Sequence, residues 1–454
     1  MDYHILSMKI NQALKGYFAK AYFKNFSYLV GENFVRLILG FFVSILVARH
    51  LGPGEYGELN YILSCIHILI PLYTFGIDEF MLKNLVAAST SDSSGSTALD
   101  IMKIGFWVKA FGALLAVFSL YLLSEVKVYQ FTGETQLLAL AYSMAMVFRS
   151  FDVIDNWYQA KMEIRKLSYA RTTVLVLAAA LKLFYIFLDQ SWLAFLFVSA
   201  VEIVLVEILY VAIYFQDNFR LFFKLSGKTL SRYKDEIIST ALPVIGVSFL
   251  TYAIARVDQI MIGNMLGDYE LGKFAVAVKL VDIWQFLPFA VINSFYPVII
   301  RSFTEHDEKI YERKLVKLYG ALAFISLSFS ITVYFIAPYL INLLYGAEYS
   351  GAGDYLSLYC WLTIPVFYLH ALVKILVLEK KVVVYLYLLA LTFVLNLVLN
   401  FLLIPKLGVQ GAIIAALSSY AVSLLCGALL SITLRKNQFN YFKSLLGLVG
   451  FLKS

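Results

Sequence analysis

Fourteen ionisable side chains lie inside long apolar runs of this sequence, seven of each sign. The basic ones are Arg36, Lys109, Arg149, Lys182, Arg256, Lys279 and Lys374; the acidic ones are Glu32, Asp152, Asp155, Glu202, Glu207, Asp258 and Asp282. Charge held in hydrocarbon is costly, so such residues face a polar cavity or one another. Glu32/Arg36 at spacing four, and Arg149/Asp152 and Lys279/Asp282 at spacing three, would share helix faces as ion pairs. Lys109 and Lys374 stand near run ends, where a long stem carries the ammonium to the interface, and are set aside. Arginine grips phosphate oxygens in bidentate fashion, so cations at successive depths suit a diphosphate that must cross. Arg36, Arg149 and Arg256 come first for that role, with Lys279 and Lys182 behind them. Lys182 is about ten residues into its run, roughly 15 Å at helical rise. Carboxylates at depth offer a second chemistry, the carriage of a coupling proton or sodium ion. Asp152, Asp258 and Asp282 are the candidates, while Glu202 and Glu207 read as facing neighbouring helices.

Other motifs carry less. Gly52-Pro53-Gly54-Glu55-Tyr56-Gly57 fits G-x-G-x-x-G, but a dinucleotide site needs a preceding strand and an α/β unit. Here the glycines read as a tight turn between helices. Cys65, Cys360 and Cys426 are far apart and apolar in context, which excludes a disulfide framework or structural zinc. His67 and His370 are isolated and read as packing residues. No Walker A loop or Ser/His/Asp arrangement is present, so neither ATP-driven pumping nor catalysis by this chain is indicated. Pro243, Pro288, Pro297 and Pro365 fall within apolar runs and would kink them.

The elements that position these residues are membrane helices. Of 454 residues 61% are hydrophobic and 15% charged, and mean hydropathy is +0.79. The apolar runs are long enough to cross roughly 30 Å of hydrocarbon, and they lack the alternation of a β-barrel. Twelve spans are expected, near 29–48, 58–77, 104–124, 136–157, 172–188, 192–215, 237–257, 276–300, 318–345, 355–378, 383–404 and 410–434. Connections on one side carry 26 Lys and Arg, Arg171 among them, against four on the other. That bias places both termini in the cytoplasm, with residues 1–28 a retained cytoplasmic segment. The outer connections are short, which denies room to an exoplasmic enzyme domain.

A repeat joins the two halves. Leu51-Gly52-Pro53-Gly54-Glu55-Tyr56-Gly57 and Leu266-Gly267-Asp268-Tyr269-Glu270-Leu271-Gly272 both read L-G-x-x-E-x-G, each following the first helix of a half. The fold class is therefore all-α: two six-helix lobes, 1–216 and 237–454, related by a pseudo-twofold along the membrane normal. A cytoplasmic linker at 217–236 joins them, and a short tail follows the last span.

The segments ILVARHLGPGEYGELNY, RVDQIMIGNMLGDYELGKFAVAVKLVDIWQFLPFAVINSFYPVI and NLVLNFLLIPKLGVQGAIIAALSSY resemble the first, seventh and last helix regions of the Wzx-type polysaccharide flippases. That group lies in the superfamily of multidrug antiporters and the lipid II flippase MurJ. The resemblance implies a flippase for polyprenyl-diphosphate-linked oligosaccharides, with a cationic cavity lined by both lobes and alternating access to the two faces. It implies membrane lipids, a polysaccharide polymerase and a chain-length regulator as partners, and no nucleic acid or cofactor beyond a coupling ion. Rivals on the same scaffold are a multidrug/cation antiporter, which prefers an acidic cleft with few cations, and a lipid II flippase, which usually has two further C-terminal helices.

Overall fold

A computed structural model describes the backbone of residues 2–89, 94–215 and 227–451, and the side chains of 31–89, 97–215 and 231–444. The linker expected at 217–236 lies outside the described residues as far as 226. From Gly227 the chain is helical. Among the described residues there is no strand, and eleven helices are long and apolar enough to span a membrane.

In order, the helices are α1 (Asp2–His67), α2 (Ile70–Thr74), α3 (Asp78–Ser89), α4 (Ser94–Glu125), α5 (Gly133–Val147) and α6 (Val153–Ala160). There follow α7 (Arg165–Phe187), α8 (Trp192–Tyr214), α9 (Gly227–Leu266), α10 (Asp268–Asp282), α11 (Phe286–Thr304) and α12 (Glu308–Tyr345). The chain ends with α13 (Ala352–Tyr359), α14 (Thr363–Leu378), α15 (Val382–Leu407), α16 (Val409–Leu430) and α17 (Ile432–Phe451). The count of eleven against an expected twelve has one cause. α1 joins two helices across Gly52, whose φ of 68° and ψ of 173° break the helix before Pro53. Gly267 repeats that break, with φ 87° and ψ 175°, between α9 and α10. Only glycine enters this region without steric cost, which explains why both copies of the motif place it there.

The halves also match in their interruptions. The fourth span of the first half is cut by a 3-10 turn at Phe148–Asp152, and that of the second by one at Cys360–Leu362. Mid-helix 3-10 turns often mark functional positions, and the first of these carries Arg149 and Asp152.

Two compact units divide the chain. Unit 1 comprises Met1–Ser44, Ile70–Val126 and Phe131–Ile245; unit 2 comprises Ile45–Leu69, Lys127–Gln130 and Gly246–Ser454. A single cut at 217–236 therefore does not describe them, because residues 45–69 pack with the C-terminal part. In unit 1 the core gathers Phe80, Met81, Ile101, Met102, Val153 and Ile154 with Tyr210. In unit 2, Tyr319, Tyr368, Leu372 and Leu388 pack with Leu434 and Tyr441 of α17. The Tyr319 hydroxyl donates to Asn437 Oδ1 at 2.7 Å. The segment expected as a short tail is thus a packed helix, whose Asn437, Gln438, Asn440 and Ser444 face the protein while Phe439, Phe442 and its basic residues stay exposed.

The two L-G-x-x-E-x-G segments meet inside unit 2. A methyl on Gly57 would lie 2.6 Å from the Asp268 carbonyl carbon, and one on Gly272 would lie 2.7 Å from that of Pro53; both oxygens are nearer still. Each copy's last glycine thus admits the other copy's backbone. The Ser64 hydroxyl donates to Gln259 Oε1 at 2.6 Å beneath this joint, and the Tyr61 hydroxyl to Asn264 Oδ1. The Tyr349 hydroxyl donates to the Ala48 carbonyl at 2.7 Å.

Candidate functional site

A cavity of about 640 Å³ opens within unit 1, lined by α1, α2, α3, α4, the 3-10 turn, α6, α7 and α8. Its wall holds seven carboxylates and four basic groups. Arg171 is the hub. Its Nε and Nη2 donate to the two oxygens of Glu32 at 2.6 and 2.9 Å, and Nη1 donates to Asp155 at 2.7 Å and to the Tyr210 hydroxyl at 2.8 Å. A planar fork of this kind satisfies several acceptors at once, where an ammonium would not. Arg36 Nη2 reaches Glu32 at 2.8 Å, yet its side chain keeps 52% exposure. Arg149 stands 3.5 Å from Asp152 and is 39% exposed.

Lys109, set aside above as an interfacial residue, is only 2% exposed and lies 2.6 Å from Asp78. Asp78 also accepts from Asn156 at 2.9 Å. The Asp78 side chain keeps 44% exposure, so only its removal would strand a buried charge, the Lys109 ammonium. Glu202 and Glu207 also line the cavity, which corrects their reading as helix-facing residues. Glu207 is buried beside Asp152 at hydrogen-bonding range, and its Oε2 has no partner. Glu79 lines the cavity with no partner among the described residues. Arg171 was counted with the connections; the structure places it inside α7, whose first residue is Arg165.

The remaining sequence candidates fall elsewhere. Lys182 lies 3.5 Å from Glu202 but does not line the cavity. Arg256, Lys279, Asp258 and Asp282 belong to unit 2. Arg256 stands 3.6 Å from Asp282, and Lys279 is exposed. Asp258 is 6% exposed and is held by two asparagines that the sequence reading passed over. Asn396 and Asn400, one turn apart on α15, donate to its Oδ1 at 3.1 and 2.6 Å. Asn400 Nδ2 also reaches Asn396 Oδ1 at 3.1 Å, while Asn400 Oδ1 is buried without a partner. Two asparagines at spacing four in an apolar helix were the available signal. No group of three or more His, Cys, Asp or Glu is placed to hold a metal among the described residues.

These features sit in a sequence that matches the polysaccharide biosynthesis protein family over residues 22–303. The chain belongs to that family. Residues 243–402 match the MatE family as well, and the protein is a multi-pass membrane transporter of the flippase and multidrug-exporter superfamily. It is 23% identical to the capsular polysaccharide biosynthesis protein CapF of Staphylococcus aureus, over 88% of this chain and 97% of that one. In fold it resembles the lipid II flippase MurJ in an inward closed conformation, with TM-score 0.66 and 14% identity over 94% of this chain and 93% of that one. It also resembles an inward-facing multidrug resistance MATE transporter, with TM-score 0.63 and 12% identity over 92% and 96%.

Proposed function

We propose that this family member moves polyprenyl-diphosphate-linked oligosaccharide repeat units from the cytoplasmic to the outer face of the bacterial inner membrane, for surface polysaccharide synthesis. The observation that carries the reading is the partial exposure of Arg36 and Arg149 in one cavity of a polysaccharide biosynthesis protein. Partly exposed guanidinium groups match diphosphate oxygens, while the lipid tail stays in the bilayer. Transport proceeds by alternating access, with both termini cytoplasmic and a polymerase and chain-length regulator as later partners. The test is depletion of the protein in its native host, with the lipid-linked saccharide located by a membrane-impermeant probe. Cytoplasmic accumulation, rescued by wild type but not by Arg36→Ala or Arg149→Ala, is the expected result. Normal outward delivery without the protein removes the reading.

One observation favours a second reading. Seven carboxylates against four basic groups in the cavity suit a cationic drug, as in a multidrug/cation antiporter. Loss of drug efflux with unchanged saccharide delivery in the same depletion experiment selects that alternative. Arrest of lipid II in place of the polysaccharide precursor selects a lipid II flippase.

Asp258 is the coupling residue in this proposal, and the ion is a proton or sodium. Its carboxylate and the unpartnered Asn400 carbonyl oxygen offer oxygen donors in a buried setting. Asp258→Asn should abolish the acceleration of flipping by an imposed sodium or proton gradient in proteoliposomes. If the gradient still accelerates Asp258→Asn, the ion passes to Asp152 or Asp282.

A further inference from the structure

We infer that the transported glycan carries a free ammonium group, so that the headgroup is zwitterionic. This rests on the flippase reading and names its substrate class. The argument is what remains after the ion pairs of the unit 1 cavity are closed. Arg171 takes Glu32 and Asp155, Lys109 takes Asp78, Arg149 takes Asp152, and Lys182 takes Glu202. Glu79 is left over, and Glu207 has no cation, only the Asp152 carboxyl beside it. Glu79 is exposed at the cavity wall with no partner among the described residues. Glu207 is 3% exposed, and its Oε2 has none.

A diphosphate bearing only neutral N-acetylated sugars brings more negative charge and no partner for either carboxylate. Seating it would remove water from Glu79 and offer nothing in return, a cost of the kind that excludes ligands from polar sites. An amino sugar with an unacetylated amine changes both terms. Its ammonium supplies charge-assisted hydrogen bonds to the carboxylates, while Arg36 and Arg149 receive the diphosphate. A cavity with opposite charges held apart on rigid helices thus reads both ends of one headgroup.

The test uses the full-length protein in proteoliposomes and two synthetic polyprenyl-diphosphate sugars, identical except for a 2-amino or a 2-acetamido group. Flipping is read by cleavage with a membrane-impermeant diphosphatase. The amine should cross faster by about tenfold, the ratio one charge-assisted contact worth about 1.4 kcal/mol gives. That ratio should fall close to one in Glu79→Gln, and in Glu79→Gln/Glu207→Gln, while Glu308→Gln on α12 keeps it. Equal rates for the two sugars in wild type overturn the inference and leave the flippase reading standing. A preference that survives both substituted proteins also overturns it. If neither sugar crosses, both readings fall together.

Discussion

Alanine at Gly57 or at Gly272 should collapse transport, and Gly54→Ala, three residues away, should leave it intact. The contrast follows from what a methyl group meets. At Gly57 it runs into the Asp268 carbonyl and lies 3.0 Å from the Gly272 nitrogen; at Gly272 it runs into the Pro53 carbonyl. Both obstacles are backbone, which cannot rotate aside as a side chain can. At Gly54 nothing lies within 4 Å, and in a helix alanine is favoured over glycine by about 1 kcal/mol. The sequence motif thus contains its own control.

Overpacking of this kind costs about 1–3 kcal/mol, occasionally more. A loss of about 2 kcal/mol shifts a conformational equilibrium close to thirtyfold. The two substitutions act on one joint, so the double variant should cost less than the sum of the singles. Flipping rates in proteoliposomes, with the thermal unfolding midpoint in the same lipid, measure both effects. Transport by Gly57→Ala at the wild-type rate would show that the motif joint bears no part in the cycle. Gly52 and Gly267 are governed by a different constraint. Their positive φ opposes any side chain whatever the space, so alanine there strains the turn, and at Gly52 it also meets the Glu348 carboxylate at 3.2 Å.

Much of this arrangement was legible in the residues. The twelve spans, the repeated motif and the Glu32/Arg36 and Arg149/Asp152 pairs all follow from local spacing, and the structure contains each of those pairs. What spacing missed involves partners distant in sequence. Lys109 looked interfacial because depth was judged from the end of its run, whereas Asp78 on another helix draws it into the interior. Arg171 stands one residue before the apolar run expected at 172–188, so it was assigned to a connection. The helix begins earlier, at Arg165, and carries the guanidinium to Glu32. Asn396 and Asn400 are uncharged, and a search for intramembrane charge passes over them although they hold Asp258. The tail was misjudged for a related reason: polar residues at 435–444 signal solvent in isolation, but Asn437 accepts from the Tyr319 hydroxyl and turns its face of α17 to the protein.

Arg171→Lys should lower both stability and transport, and by more than Arg36→Ala lowers stability. All three guanidinium nitrogens of Arg171 are engaged, and the side chain is 12% exposed. A lysine ammonium cannot span the Glu32 carboxylate and reach Asp155 and Tyr210 as well. Breaking a buried pair by removing one partner costs about 3–5 kcal/mol, because the abandoned charges stay buried. Glu32 would keep Arg36, and Asp155 would keep Gln159 at 2.8 Å, which places the expected loss at the lower end. Arg36 is half exposed, and an exposed pair contributes about 0–1 kcal/mol, so Arg36→Ala should reduce flipping with little change in unfolding temperature. Replacing the cluster whole separates the two roles of Arg171. Arg171→Met with Glu32→Leu and Asp155→Leu removes every stranded charge, and such replacements are often neutral or stabilising. Unfolding temperature should therefore recover in the triple variant. Transport should not recover if the hub also sets the position of Arg36, because that guanidinium then loses the carboxylate that holds it at the cavity wall. Recovery of both would reduce Arg171 to a structural residue and leave Arg36 to act without it.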